Sequence, residues 1–328
     1  MRRRTLFGSS GHGIKGTMID KSNATVGDIC CYDAVNDEKV FIRTGGTTPF
    51  EVTPIGVVVI PSSHDVYGTG ECAVMSLKYM NYTTPNEGSI SYQSIYWGGY
   101  GTDITGMTNF NKVPYIAASA SAQTDTYSPT INGTSGYTYL PSDNFTGSTC
   151  GHDTSAKYYD TSVKPAPSPY LTDGSRNPLY YQTSSPSTTA NTLSDFDGVG
   201  NTNVITGLAT GEDWKTATSI TNNSGSTYYP AACCCWRYST VGTVQGNWYL
   251  PACGELGYLC ARLKTINNAI QYLIDSGFSD SCSLVDSASF WSSSEYSSNN
   301  ARNVNMNNGN VNNNNKNNNN YVRAFLRV

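Results

Sequence analysis

The segment from Phe290 to Val328 constrains this chain more than any other, because nearly every polar position between Asn299 and Asn320 is Asn. A tract of amides alone has little apolar area to bury, and such compositions are ordinarily disordered and prone to self-association. The exceptions to Asn follow a pattern that argues for a fold. Val304 and Met306 alternate with Asn303, Asn305 and Asn307, the period of a strand with one apolar face and one amide face. Asn308-Gly309 suits a type I′ turn, and Val311 resumes an apolar position on the return. Val322, Ala324, Leu326 and Val328 then alternate with Tyr321, Arg323, Phe325 and Arg327, which predicts a closing strand near the chain end. Arg323 and Arg327 are expected to brace the fold rather than to read a ligand.

Upstream, the chain reads as strands joined by long polar segments. Residues 1–22 are expected to be a leader or attachment segment. Val40-Phe41-Ile42 is one short strand candidate. Pro54 to Pro61 is a β-branched run bounded by prolines, and with Cys72 to Leu77 it predicts a β-hairpin. Residues 83–190 are rich in Ser, Thr, Tyr, Gly and Pro and read as an insertion, although Trp97-Gly98-Gly99-Tyr100 argues for order within it. Gly211 to Asn222 is one helical candidate. Cys253 to Ser276 is a second, with Leu256, Leu259, Leu263, Ile266, Ile270 and Leu273 at helical spacing and Gly277 as its stop.

Composition excludes several function classes. The net charge of -4 gives no reason to expect nucleic acid as a partner. No stretch approaches the roughly 20 apolar residues of a membrane span. Met1-Arg2-Arg3-Arg4 is not followed by the apolar core of a signal peptide, so folding in the cytoplasm with the 10 cysteines reduced is expected. His12, His64 and His152 stand alone in Gly- or Ser-containing loops and suggest no metal site, and no calcium-lectin motif occurs, so no cofactor is expected. Glu255 is expected to serve the structure at a helix start.

The amide tract has no reason in catalysis, since Asn does not titrate, nor in strand stability, since Asn is depleted in strands. A genetic reason fits better. Asn codons are two adenines and a pyrimidine, and a process that mutates only adenines turns them into most residue types and never into a stop codon.

Ordered landmarks carry a family resemblance: Pro54 to Ile60 with Val74-Met75-Ser76-Leu77; Asp197-Gly198 with Asn201-Thr202; Tyr229-Pro230-Ala231-Ala232; Trp248-Tyr249-Leu250-Pro251-Ala252 with Glu255-Leu256; Phe290-Trp291-Ser292-Ser293-Ser294-Glu295-Tyr296; then Gly309, Lys316 and Tyr321-Val322-Arg323-Ala324. In these, residues 50–80 and 195–328 resemble the variable proteins of diversity-generating retroelements, in the formylglycine-generating-enzyme-like branch. The resemblance implies an α+β, C-type-lectin-like fold over residues 23–328, strand-rich with one or two helices, long loops and a variable region at about 291–328. It implies that adenine-specific mutagenesis rewrites Asn299, Asn300, Asn303, Asn305, Asn307, Asn308, Asn310, Asn312, Asn313, Asn314, Asn315, Asn317, Asn318, Asn319 and Asn320. Trp291, Gly309, Val311 and Val322 would be fixed scaffold, and the near-uniform Asn of this copy reads as template-like.

The implied role is receptor binding at a phage tail, assembled in the bacterial cytoplasm. The partners would be a host-surface protein or glycan and, through the leader, a tail component. A homotrimer is the analogous assembly. A bacterial surface adhesin of the same family and a structural particle component are alternatives. An oxidase of the formylglycine-generating type is a further one, but Cys253, Cys260 and Cys282 do not match the spacing of its reactive thiols, so a binder and not an enzyme is expected.

Overall fold

The computed structural model describes residues 13–64, 70–104, 130–131, 134–135, 195–286, 288–307 and 311–328. In chain order the strands β1 (Ile14–Ile19), β2 (Ile29–Asp33), β3 (Glu38–Phe50), β4 (Thr53–Ile60), β5 (Ala73–Ser76) and β6 (Ile95–Tyr96) come first. The short pair β7 (Thr130–Ile131) and β8 (Thr134–Ser135) follows. Helices α1 (Gly198–Gly207) and α2 (Pro230–Arg237) precede β9 (Trp248–Tyr249), and α3 (Cys253–Ala261) and α4 (Leu263–Leu273) follow it. The chain closes with β10 (Ser289–Glu295), β11 (Asn300–Asn305), β12 (Val311–Asn315), β13 (Asn319–Asn320) and β14 (Phe325–Arg327).

The fold is a strand-rich mixture of α and β with antiparallel sheets. Seven strands form one sheet in the order β1-β3-β2-β4-β5-β14-β9, and β10-β11-β12 form a second. The larger sheet is buried on both faces at β4 and β5, while part of β1 and the ends of β3 are exposed, which is why β4 reads as an unbroken apolar run rather than an alternating one. Val57, Val59 and Ile60 enter one core with Leu256, Leu259, Leu263, Ile266, Ile270 and Leu273 of α3 and α4. Ile55 and Val58 enter a second core with Ile205 of α1 and Cys233, Cys234 and Cys235 of α2. The hairpin predicted from Pro54 to Leu77 is present, with Val57 opposite Met75 and Val58 opposite Val74.

The closing strand is also present, over Phe325–Arg327, and it lies inside the sheet rather than at its edge. β14 lies between β5 and β9, so Phe325 faces the first core and Leu326 the second. The predicted helix over Cys253 to Ser276 divides at Arg262, whose backbone (φ -109, ψ 9) leaves the helical region. The second piece runs on into a π-turn over Ile274–Phe278, where Gly277, at φ 97, breaks the helical backbone as expected.

Three expectations are corrected. Gly211 to Asn222 is not a helix: Thr216 and Ala217 N–H close a single turn on the Asp213 carbonyl. The next carbonyls are taken by a side chain, since Arg237 donates to Trp214 O and, at 2.9 Å, to Ala217 O. The segment read as leader is structured from residue 14 onward, because β1 pairs with β3 and Ile14 is buried. The segment read as insertion contributes residues 83–104 to the fold, with Ile95, Trp97 and Ile104 in the second core. The remainder of the insertion lies almost wholly outside the described residues.

Cys30, Cys31, Cys72, Cys233, Cys234, Cys235, Cys253 and Cys282 are free and buried, which is the reading of small apolar thiols. The expectation that all cysteines are reduced is corrected at Cys260, which is disulfide-bonded.

Candidate functional site

The Asn tract is mounted on β10, and β10 is held by a closed polar network. Ser294 Oγ donates to Asp195 at 2.6 Å and accepts from Cys253 N–H at 2.9 Å. Asn201 Nδ2 donates to Asp195 at 2.9 Å and to Ser293 Oγ at 3.2 Å. Burial pushes the Asp195 carboxyl above its usual range, against the pull of these hydrogen bonds. Glu255, also fully buried, accepts from Ala252 N–H at 2.7 Å and from Tyr249 OH at 2.8 Å, so it caps the start of α3 as expected. A Cβ on Gly198 would lie 2.4 Å from that carboxylate, which fixes glycine there.

From the other side the 95–104 segment grips the same strand. Trp97 Nε1 donates to Ser292 O at 2.7 Å, and Trp291 Nε1 donates to Ile95 O at 2.8 Å. Gly98, at φ 94, passes so close to Tyr228 that a Cβ would meet its carbonyl at 2.0 Å. This close passage is the order that the Trp-Gly-Gly-Tyr cluster signalled.

Lys316, the one cation between Asn303 and Asn320, is the post on which the tract turns. It is fully buried and its ammonium donates to Glu295 and, at 2.6 Å, to Thr102 O. It sits 4.8 Å from the centre of the Trp97 ring. Its backbone N–H donates to Asn299 O and its carbonyl accepts from Gly98 N–H.

Around this post the amides spread outward. Asn299, Asn307, Asn312, Asn313, Asn315, Asn317, Asn318 and Asn319 are exposed, and Asn300, Asn305 and Asn314 are half-buried. β11 and β12 pair from Asn300 with Asn315 to Val304 with Val311, so the predicted hairpin is present. Asn308, Gly309 and Asn310, its predicted turn, lie outside the described residues.

Two positions correct the picture of one apolar and one amide face. Asn303 is 2% exposed and Asn320 is 7% exposed. β11 is the middle strand of its sheet, and Asn303 pairs across it with Trp291 on one side and Asn312 on the other. Paired residues share a face, so Asn303 lies on the Trp291 side, which the 95–97 segment covers. Alternation cannot reveal that both sides of a strand are covered. Among the described residues, Asn303 Oδ1 and Asn320 Nδ2 have no hydrogen-bond partner.

An unpaired buried amide oxygen costs about 1–3 kcal/mol. Asn303→Leu, a change of similar size that removes the polar atoms, is therefore expected to raise stability by about 1–2 kcal/mol. A urea-unfolding midpoint measures this. A less stable variant would mean that the amide is hydrogen-bonded to water inside the fold.

The structure also shows an aromatic cluster that sequence reasoning missed. Tyr92 stacks on Tyr321 with centroids 4.4 Å apart, and Tyr79 contacts both Tyr321 and Phe290 at 5.9 and 6.1 Å. Their spacing in sequence gives no local signal. Of the three cysteines weighed for oxidase chemistry, Cys253 and Cys282 are thiols. Burial pushes Cys253 well up and Cys282 up to about 12. Against known proteins, no family model, no curated protein and no solved structure matches the chain.

Proposed function

We infer that this chain is a diversified receptor-binding protein with a C-type-lectin-like fold, the variable protein of a diversity-generating retroelement carried on a phage tail. One observation carries the reading. Within residues 290–328 the Asn positions hold most of the exposed surface, while Trp291, Val304, Val311, Lys316, Val322 and Arg323 are buried. Rewriting the outward codons changes the surface and leaves its support intact. The protonated state favoured at Cys253 and Cys282 supports a binder over an oxidase working through those thiols.

The test is deep sequencing of the gene in a growing host population. Adenine-linked substitutions confined to the Asn codons of residues 299–320, with codons for Val304, Met306, Gly309 and Val322 unchanged, are the expected result. A uniform sequence at sensitive depth overturns the reading and turns attention to self-association of the tract. Binding hot spots are enriched in Trp, Tyr and Arg, which this Asn face lacks. This copy is therefore expected to bind any one target no more tightly than about 1 μM through the tract, with avidity supplied by several copies.

A further inference from the structure

Beside the amide tract lies an open cleft of about 480 Å³ whose lining includes, among the described diversified positions, Asn307 alone. Its apolar wall is made by Ile90, Tyr92 and Leu284, which are 45%, 54% and 41% exposed. Large apolar side chains grouped in one concave place mark a binding surface more often than the same residues scattered singly. Its polar rim is made by Asn267, Asp286 and, from the tract, Asn307.

We propose that this cleft is a saccharide subsite, with Tyr92 as the platform for one sugar ring. It goes beyond the diversified surface and does not need the tract to be rewritten. The argument begins with rigidity. Tyr92 presses one face on Tyr321 at an interplanar angle of 26°, and Tyr321 stands edge-on to Tyr79 and Phe290. A ring braced in this way presents its other face without losing rotamer freedom on binding. The C–H face of a pyranose stacks on such a flat π surface, while its equatorial hydroxyls need groups that both donate and accept. Amides and a carboxylate at the rim supply that pairing.

The rim is itself fixed. Asn267 Nδ2 donates to Val285 O at 3.0 Å and its Oδ1 accepts from Val285 N–H at 2.8 Å, which holds the 283–286 loop against α4. Each of these amide groups retains capacity for a further hydrogen bond. Among the described residues no Lys or Arg lines the cleft, so nothing there recommends a phosphate or nucleic acid. The floor is aromatic and hydroxyl-bearing rather than the dry aliphatic groove that an amphipathic helix prefers.

The experiment uses the full chain and a panel of neutral oligosaccharides: maltohexaose, cellohexaose, chitohexaose and mannohexaose. Saturation-transfer NMR is expected to report binding of at least one of them with Kd on the order of 1 mM. Tyr92→Ala is expected to weaken it at least about tenfold, a loss of about 1.4 kcal/mol. Tyr92→Phe keeps the ring and should keep binding. A variant with Asn312, Asn313 and Asn315 changed to Ser should also bind as the parent does, which separates this subsite from the diversified surface. No binding to any panel member at about 10 mM overturns the proposal, as does binding that Tyr92→Ala leaves unchanged. An amphipathic helical peptide bound in the cleft while every sugar fails would assign it to a protein partner instead.

Discussion

Lys316→Met is expected to lower the unfolding free energy by about 3–5 kcal/mol, the usual result of removing one member of a buried ion pair. Neither side chain of the Lys316–Glu295 pair touches solvent. Without the ammonium, Glu295 keeps among the described residues only the Ile104 N–H at 3.2–3.3 Å, and Thr102 O loses the Lys316 donor. Burial raises the Glu295 carboxyl and lowers the Lys316 ammonium, each against the attraction of its partner. The raised Glu295 contributes stability that is present below its unfolded pKa and lost as pH rises through the folded value. The lowered Lys316 contributes stability that is present above its unfolded pKa and lost as pH falls through the folded value. At neutral pH both signs say that desolvation outweighs attraction. The double variant Glu295→Gln/Lys316→Met should therefore recover to within about 1–2 kcal/mol of the parent. Urea unfolding of the parent, both single variants and the double variant measures the coupling. A double variant as unstable as the sum of the singles would mean that the two groups stabilise the tract separately.

Parts of this fold could be read from sequence because their signals are local. β4 takes in the β-branched run between Pro54 and Pro61, and α3 and α4 carry their apolar residues at helical spacing. α1 and α2 had no such periodicity. α1 is built from Gly, Val, Asn, Thr and Ile, and it is held from outside: Thr202 Oγ1 accepts from Leu250 N–H at 3.0 Å, and Asp197 caps Gly200 at 3.0 Å. The Cys233-Cys234-Cys235 run of α2 is buried throughout, so no polar face marked it as helical. The scaffold of the candidate site was legible as a set of apolar exceptions to Asn, and Val304, Met306, Val311 and Val322 are all buried. What covers the second side of β11 was not legible, because Trp97 reaches Ser292 across 195 positions. For the same reason the interior places of Asn303 and Asn320 appear only in three dimensions, and so does the pairing of Glu295 with Lys316.

Arg323→Met is expected to cost on the order of 3–5 kcal/mol, because Arg323 is a buried cation that carbonyls hold. Its guanidinium is fully buried and donates to Ser76 O at 3.0 Å, Ser283 O at 2.7 Å and Leu284 O at 3.0 Å. It also lies 3.8 Å from the centre of the Tyr79 ring. One planar fork thus ties the end of β5 to the loop that walls the Tyr92 cleft. Arg323→Lys keeps the charge but cannot span the three carbonyls with one flat group, so it should recover less than half of the loss. Hydrogen exchange tests the same point locally: the amides of Ser283 and Val285, which bond to Leu77 O and to Asn267, should exchange faster in Arg323→Met than global destabilisation alone accounts for. Arg327 supplies the contrast. Its side chain is 20% exposed, its carboxylate partner, Asp197, is 51% exposed and 3.8 Å away, and its guanidinium donates to Phe196 O at 2.8 Å, so Arg327→Met should cost about 1–2 kcal/mol. If Arg323→Lys matched the parent, charge alone would hold the loop. If Arg327→Met cost as much as Arg323→Met, position in the closing segment of the chain rather than the carbonyl fork would explain both.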